Sequence, residues 1–335
     1  MTAKVIILTT GGTISHRTQK GVAVLDFDPA ALAADLGLAE IALEFRTVFA
    51  KGSMAIVPDD WTALAAAAAD AISAQPNGIV VLHGTDTLHY TAAALSFMLR
   101  DPGLPIVLTG SMLPGGDPGS DALPNLRDAI LVAATADLGE VSVVFSADAA
   151  RTAGLIIRGV RARKIRSYAI DAFASINAPP IGRVLDGEIV IDAARARRGR
   201  IAPLLSTELE RNVVLLKLTP AVTSEILARQ LSGAAGAVIE GTGIGHIRAE
   251  LHATIAAFGK PVVMSTQAVF GGERLGLYDV DQSILDIPNL IPAGNITSET
   301  ALIKLMWALA RGGDVRTMMR TNIAGECADG AADPS

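Results

Sequence analysis

One cysteine in 335 residues, Cys327, leaves no pair for a disulfide and no thiolate cluster for a metal. Rings are scarce too. Aromatic residues make up 4% of the chain, too few for a platform on which single-stranded nucleic acid could stack. Positive charge is short as well, with 28 Lys and Arg against 34 Asp and Glu and a net charge of −6. That balance lacks the basic footprint of a nucleic-acid binder. The basic clusters at 158–166 and 195–200 read first as solvated loops. No apolar run reaches the roughly 20 residues that a membrane helix needs. The opening run, Val5-Ile6-Ile7-Leu8, is too short for a secretory signal and passes into Thr-Thr-Gly-Gly rather than a cleavage site. A cytoplasmic protein with no nucleic-acid partner and no membrane partner is expected.

What the chain does have is small aliphatic residues. Half of it is hydrophobic, mostly Ala, Val, Ile and Leu, which excludes disorder as the main state. This texture favours sheets covered by Ala-rich helices. At roughly 100–200 residues per domain, the length suggests two domains. Residues 4–10 read as a buried strand entering a tight turn at Gly11-Gly12. Asp59 and Asp60 can cap an Ala-rich helix over 61–73. Residues 78–82, 105–108 and 141–145 read as further strands, alternating with helices over 91–100 and 125–135. This alternation predicts an α/β fold whose larger N-terminal domain, 1–190, carries a mostly parallel sheet with flanking helices. Over 178–211 the texture changes to hairpins and an Arg-rich connector, the connector proper at 191–211. A smaller C-terminal α/β domain is expected over 212–325, with strands at 213–218, 237–239 and 261–264. Thr297 is placed to cap its closing helix. Residues 326–335, rich in Gly, Ala and Asp, read as a disordered tail.

In an open parallel sheet, ligands bind outside the carboxyl ends of the strands. Two polar clusters fall at such ends. The first is Thr9-Thr10-Gly11-Gly12-Thr13-Ile14, whose paired glycines permit a sharp turn with N–H groups left to face a bound oxygen. Alone it reads more readily as a plain turn after a strand, and it lacks both the P-loop lysine and the G-x-G-x-x-G spacing. The second is His83-Gly84-Thr85-Asp86-Thr87, which alone reads as a helix cap beside a buried, hydrogen-bonded histidine. Their conjunction points to chemistry, since both present a threonine at a strand's carboxyl end. A third glycine cluster, Gly241-Thr242-Gly243-Ile244-Gly245, does not fit a dinucleotide site. Its last glycine comes one residue early, and no acidic residue follows on the next strand.

The two threonine clusters resemble the signature motifs of the bacterial-type L-asparaginase/glutaminase family. The likeness continues in order through Gly52-Ser53, Val107-Leu108-Thr109-Gly110-Ser111-Met112 and Asn125-Leu126. It then reaches Arg163-Lys164-Ile165-Arg166-Ser167 and Asp171-Ala172-Phe173-Ala174-Ser175. The resemblance implies a threonine amidohydrolase that uses no cofactor and no metal. It maps the nucleophile onto Thr13, and a second catalytic threonine, an aspartate and a lysine onto Thr85, Asp86 and Lys164. A threonine hydroxyl is a weak nucleophile at neutral pH and needs a proton acceptor within reach. On this reading a neutral lysine takes a proton through Thr85 while Asp86 orients it and balances charge.

Substrate contacts map onto Gly12, Ser53, Met54, Thr85 and Asp86, with Ser53 at the α-carboxylate and Asp86 at the α-ammonium. His246 and Glu273 fall where the family places residues that touch a neighbouring subunit's site, which implies a homodimer or homotetramer. The implied substrate is L-asparagine; L-glutamine competes, since one methylene is worth only about 1–3 kcal/mol. Two departures stand out. Met54 replaces a commonly polar residue, and the lid segment 15–26 holds no tyrosine, the chain's three being Tyr90, Tyr168 and Tyr278. His16, Arg17 and Thr18 lie in that segment without an assigned role. Two other readings remain open. One is an amide sensor of the same fold. The other is the amidase component of a tRNA-dependent amidotransferase, although such relatives carry an extra N-terminal domain and here the first strand begins at Lys4.

Overall fold

The computed structural model describes residues 2–193, 196–197 and 204–327, and the chain forms two compact units. The first takes in the chain as far as Ser175 and again from Pro179 to Thr207. The second takes Ile176–Ala178 and the described residues from Glu208 onward. Both are α/β, as the aliphatic composition predicts.

In chain order the first unit contains β1 (Ala3–Gly11), β2 (Arg17–Gln19), β3 (Val22–Val24) and β4 (Ile41–Lys51). There follow α1 (Pro58–Ser73), β5 (Gly78–Leu82), α2 (Leu88–Met98), β6 (Leu99–Arg100) and β7 (Ile106–Thr109). Next come α3 (Ala122–Thr135), β8 (Val141–Ser146), β9 (Ala153–Arg158), β10 (Ala162–Lys164) and β11 (Phe173–Ser175). A hairpin, β12 (Gly182–Leu185) and β13 (Glu188–Ile191), and the short β14 (Leu204–Leu205) complete it. One sheet of eight strands runs in the order β13-β12-β9-β8-β7-β5-β1-β4. The five strands from β8 to β4 are mutually parallel, and the other three extend the sheet antiparallel. Val5, Ile6, Ile7 and Leu8 are fully buried at its centre, as are Ile79 to Leu82. A strand covered on both faces reads as a continuous apolar run, which is why these two were legible.

Four expectations about the first unit are corrected. Asp59 and Asp60 do not precede α1 but lie in its first turn, after Pro58. Asp60 reaches back to accept the Val57 N–H at 2.9 Å and pairs with Lys51 at 2.6 Å. The helix expected over 91–100 starts at Leu88 and gives way to β6, because Leu99 and Arg100 pair with β14. The basic cluster at 158–166 is not a solvated loop: Arg161 is 1% exposed, and Arg158 is bonded to Glu140 at 2.6 Å. The segment 191–211 is not a separate connector. Arg197 is tied through its backbone to Gly139 and Glu140, and the chain stays with the first unit to Thr207. Of the second basic cluster, 195 and 198–200 lie outside the described residues.

The second unit comprises β15 (Val213–Lys217), α4 (Ser224–Leu231), β16 (Gly236–Gly241), α5 (His252–Phe258) and β17 (Val262–Thr266). It continues with α6 (Asp281–Leu285), β18 (Leu290–Pro292), α7 (Ser298–Arg311) and α8 (Val315–Arg320). Its four strands form a parallel sheet in chain order. Thr297 caps α7, its hydroxyl accepting the Thr300 N–H at 3.2 Å. On α7 the fully buried Lys304 meets the fully buried Glu326 at 2.5 Å and donates to the Met319 and Thr321 carbonyls. Burial works to raise the Glu326 carboxyl, but the Lys304 charge and the Ile323 and Ala324 N–H groups outweigh it and hold it below its usual range. Glu326 is therefore an anchor and not the start of a disordered tail. Residues 328–335 lie outside the described residues. Among the described residues no helix is long and apolar enough to cross a membrane.

Candidate active site

β1 and β5 are parallel neighbours, with Val5 opposite Gly78 and Thr9 opposite Leu82, so the turns after them open at the same sheet edge. The Thr10 hydroxyl ties the two ends by donating to the Leu82 carbonyl at 2.8 Å. Gly12 sits at φ 86°, where a side chain is strained, and space forbids one as well. A Cβ there would lie 2.3 Å from the Gly84 nitrogen, and one on Gly84 would lie 2.7 Å from the Ser53 Cβ. The three segments carrying Thr13, Ser53 and Thr85 thus meet with nothing between them.

Lys164 arrives from the end of β10. Its Nζ donates to the Thr85 hydroxyl at 2.9 Å and to Asp86 Oδ1 at 2.7 Å. The lysine side chain is 12% exposed and that of Asp86 is 64% exposed, so the carboxylate keeps most of its access to a ligand. Ser53 is buried. Its hydroxyl accepts the Asp86 N–H at 3.2 Å, and its carbonyl accepts the Thr87 hydroxyl at 2.8 Å. Thr87 is the N-cap residue of α2 but makes no cap bond; it fixes Ser53 instead. The Thr85 oxygen, already accepting from Lys164, is free to turn its own proton toward a bound group. With a neutral amine the same contact runs in reverse and moves the proton to nitrogen.

Thr13 is half-buried. Its carbonyl accepts N–H groups from His16 at 2.9 Å and Gly115 at 3.1 Å. Among the described residues its hydroxyl has no hydrogen-bond partner, so it does not share the Lys164 bonds.

His83 is the buried, hydrogen-bonded histidine that its place in the sequence suggests. It is 1% exposed, with Nδ1 2.7 Å from the Gly84 carbonyl and Nε2 3.0 Å from the Thr91 hydroxyl. A carbonyl only accepts, so Nδ1 carries the hydrogen. Thr91, which accepts the Trp61 indole N–H at 3.0 Å, donates to Nε2. Burial pushes this ring down to about 4, so it is a neutral prop for the Gly84 turn. His89 on α2 is also pushed to about 4, by burial first and then by Arg163 and Lys164. It lines a pocket of about 340 Å³ beside Lys164, together with Asp86, Ile165, Arg166 and Ser167.

The remaining sequence candidates fall as follows. Met54 follows Ser53 and is 86% exposed. His246 and Glu273 belong to the second unit. His246 Nε2 lies 2.9 Å from the fully buried Asp281 Oδ1, a close approach without hydrogen-bond alignment. Glu273 is 5% exposed and accepts N–H groups from Leu275 at 2.5 Å and Gly294 at 2.9 Å. Burial raises its carboxyl despite those bonds. Sequence reading missed Asp121, whose buried carboxylate takes the Met112 and Leu113 N–H groups and the Asn125 amide. It pins the loop after β7, and its one-turn spacing from Asn125 was the available signal. Among the described residues no group of three His, Cys, Asp or Glu side chains is placed to hold a metal ion.

A hydroxyl, a lysine and a carboxylate gathered at the carboxyl edge of such a sheet form a cluster fit to move protons around an activated nucleophile. The chain belongs to the asparaginase family: residues 4–197 match its N-terminal domain, and residues 212–321 match the glutaminase/asparaginase C-terminal domain. It is 41% identical over 340 residues to the L-asparaginase of Thermococcus kodakarensis, covering 96% of this chain and 98% of that one. The solved structure of the thermostable L-asparaginase from that organism superposes with a TM-score of 0.89 at 38% identity, covering 97% and 99% of the two chains. The chain is also 36% identical over 349 residues to a glutamyl-tRNA(Gln) amidotransferase subunit from Aeropyrum pernix. That match covers 97% of this chain and 80% of the relative.

Proposed function

We propose that this protein is an L-asparaginase, converting L-asparagine and water to L-aspartate and ammonia through a threonine acyl-enzyme. The observation that carries the reading is the Lys164–Thr85–Asp86 cluster, set against the Thr13 turn by the Gly12–Gly84 contact. Thr13 attacks the side-chain carbonyl, its oxygen bonds to carbon, the C–N bond breaks and ammonia leaves. Water then attacks the ester, aspartate departs and Thr13 recovers its proton. Thr85, held by Lys164 and Asp86, handles the proton of the attacking water. The exposed Asp86 carboxylate meets the substrate α-ammonium, and the Ser53 segment lies at the α-carboxylate. On this reading backbone N–H groups beside Thr13 or Thr85 serve the oxyanion, the Gly12 N–H being taken by the Lys51 carbonyl at 3.1 Å; losing one such donor costs roughly 3–4 kcal/mol in known enzymes.

The reading includes a cytoplasmic homo-oligomer that needs no metal or cofactor. In it His246, whose side chain is 34% exposed, is better placed than Glu273 to serve a neighbouring subunit, because both Glu273 oxygens are occupied. A second reading, favoured by the 36% match, is the corresponding component of an amidotransferase.

The test is ammonia release from L-asparagine and L-glutamine side by side, for wild type, Thr13→Ala and Lys164→Met. The larger kcat/KM for L-asparagine is expected, with losses of about 10²–10⁴ in both variants. A folded wild type that turns over neither free amino acid overturns the proposal. A preference for L-glutamine moves it to a mixed-specificity glutaminase.

A further inference from the structure

We propose that His16 is the proton acceptor for the Thr13 hydroxyl, a role that rests on Thr13 being the nucleophile. Residues Thr13–Ser15 form one turn of 3₁₀ helix, and the His16 N–H closes it on the Thr13 carbonyl at 2.9 Å. His16 ends this turn with extended backbone, at φ −105° and ψ 156°, three positions after Thr13, so the two residues are neighbours across the turn. The ring is held as well as the backbone. His16 Nδ1 lies 2.6 Å from the Gly12 carbonyl, which also accepts the Ser15 N–H at 2.9 Å. A carbonyl oxygen can only accept, so Nδ1 carries the hydrogen and Nε2 is the nitrogen left to accept one. Among the described residues neither Nε2 nor the Thr13 hydroxyl has a hydrogen-bond partner, and His16 is only half-buried.

An imidazole fixed through Nδ1 and bare at Nε2 is the form that takes a proton from a hydroxyl nucleophile. The other two histidines of the first unit are not in that state. His83 has both nitrogens engaged, and His89 has an enclosed, partnerless Nδ1 on the far side of Asp86 in sequence, in the Lys164 pocket.

The lid holds this arrangement in place. The hairpin of β2 and β3 starts one residue after His16. The Gly116 N–H bonds the His16 carbonyl at 2.9 Å, and Asp117 accepts both the N–H and the hydroxyl of Thr18. His16 is therefore tied at its N–H, its carbonyl and its ring. The segment has no tyrosine, and His16 supplies a polar ring where one is missing.

In the reaction the Thr13 proton passes to Nε2 as the Thr13 oxygen bonds to the amide carbon. The imidazolium then returns that proton to the amide nitrogen as the C–N bond breaks and ammonia leaves.

The experiment compares His16→Asn with wild type in ammonia release from L-asparagine. The asparagine amide stands where Nδ1 was and keeps a donor for Gly12, but it brings no base. The expected result is a loss in kcat of about 10²–10⁴, an unchanged KM and an unchanged melting temperature. Added imidazole is expected to restore part of the turnover of His16→Gly. Wild-type kcat in His16→Asn overturns the proposal and leaves His16 as a clamp on Gly12. Thr13→Ala separates the two readings. An active Thr13→Ala removes the nucleophile itself, whereas an inactive Thr13→Ala beside an active His16→Asn removes only the role of His16.

Discussion

Gly12 and Gly84 touch backbone to backbone, and the residue after each is a threonine of the candidate site, Thr13 and Thr85. The spacing of the two hydroxyls is therefore set by main chain and not by side-chain packing. Gly12→Ala must hold an extended backbone at positive φ (φ 86°, ψ −178°) that is essentially confined to glycine, at about 1–3 kcal/mol, and also push the two turns apart. A shift of about 1 Å in a reacting group can cost about 10²-fold in rate. Gly12→Ala is expected to lose turnover on that scale, measured as ammonia release, together with a lowered melting temperature. Gly233→Ala is the control, since Gly233 has φ 77° with nothing within 4 Å; it should lose some stability and no activity.

The neutral His83 gives a pH signature with a definite sign. The unfolded ring takes a proton near 6.5, whereas the buried ring does so only at about 4. Below 6.5 the unfolded state binds more protons, so this site's contribution is complete above 6.5 and is lost as pH falls toward 4. His89 acts in the same direction. Imidazole ¹⁵N spectra should show His83 neutral with hydrogen on Nδ1 through pH 5. A ring that titrates near 6.5 contradicts its burial beneath the Gly84 turn.

Lys304 and Glu326 make the corresponding statement for the second unit. Removing one partner of a buried pair leaves a bare charge and costs about 3–5 kcal/mol. Lys304→Met should lower the unfolding free energy in urea by that amount, and adding Glu326→Leu to it should restore part of the loss. Because the folded Glu326 carboxyl lies below its usual range, its contribution is full above the unfolded carboxyl pKa. It fades as pH falls through that value toward the folded one. Unfolding followed between neutral and acid pH checks the sign.

How far the sequence could be read depended on how local each signal was. β5 was legible residue for residue because a run buried on both faces announces itself between turns. β4 was not, since most of its residues are half-buried and show neither alternation nor a continuous apolar run. Arg161 misled for a similar reason: charge counts do not tell which arginine the fold closes over. Thr13, Thr85, Asp86 and Lys164 stand in short motifs, whereas the ring bond of His16 to Gly12 and the carboxylate of Asp121 are local contacts set by loop conformation, which residue types alone do not announce, and the burial of Glu326 exists only once it meets Lys304.

The position of β1 has a consequence for how the enzyme comes to life. It lies between β4 and β5, pairing Ala3 with Ile41 and Val5 with Gly78, so a strand that leaves the ribosome early waits for partners made much later. Helices can form in the meantime, but such non-local pairing is the slow part of assembly. A chain caught early holds Thr13 and Thr85 apart however much helix it contains. The return of turnover during refolding is then a late clock, one that starts only when the middle of the sheet has closed.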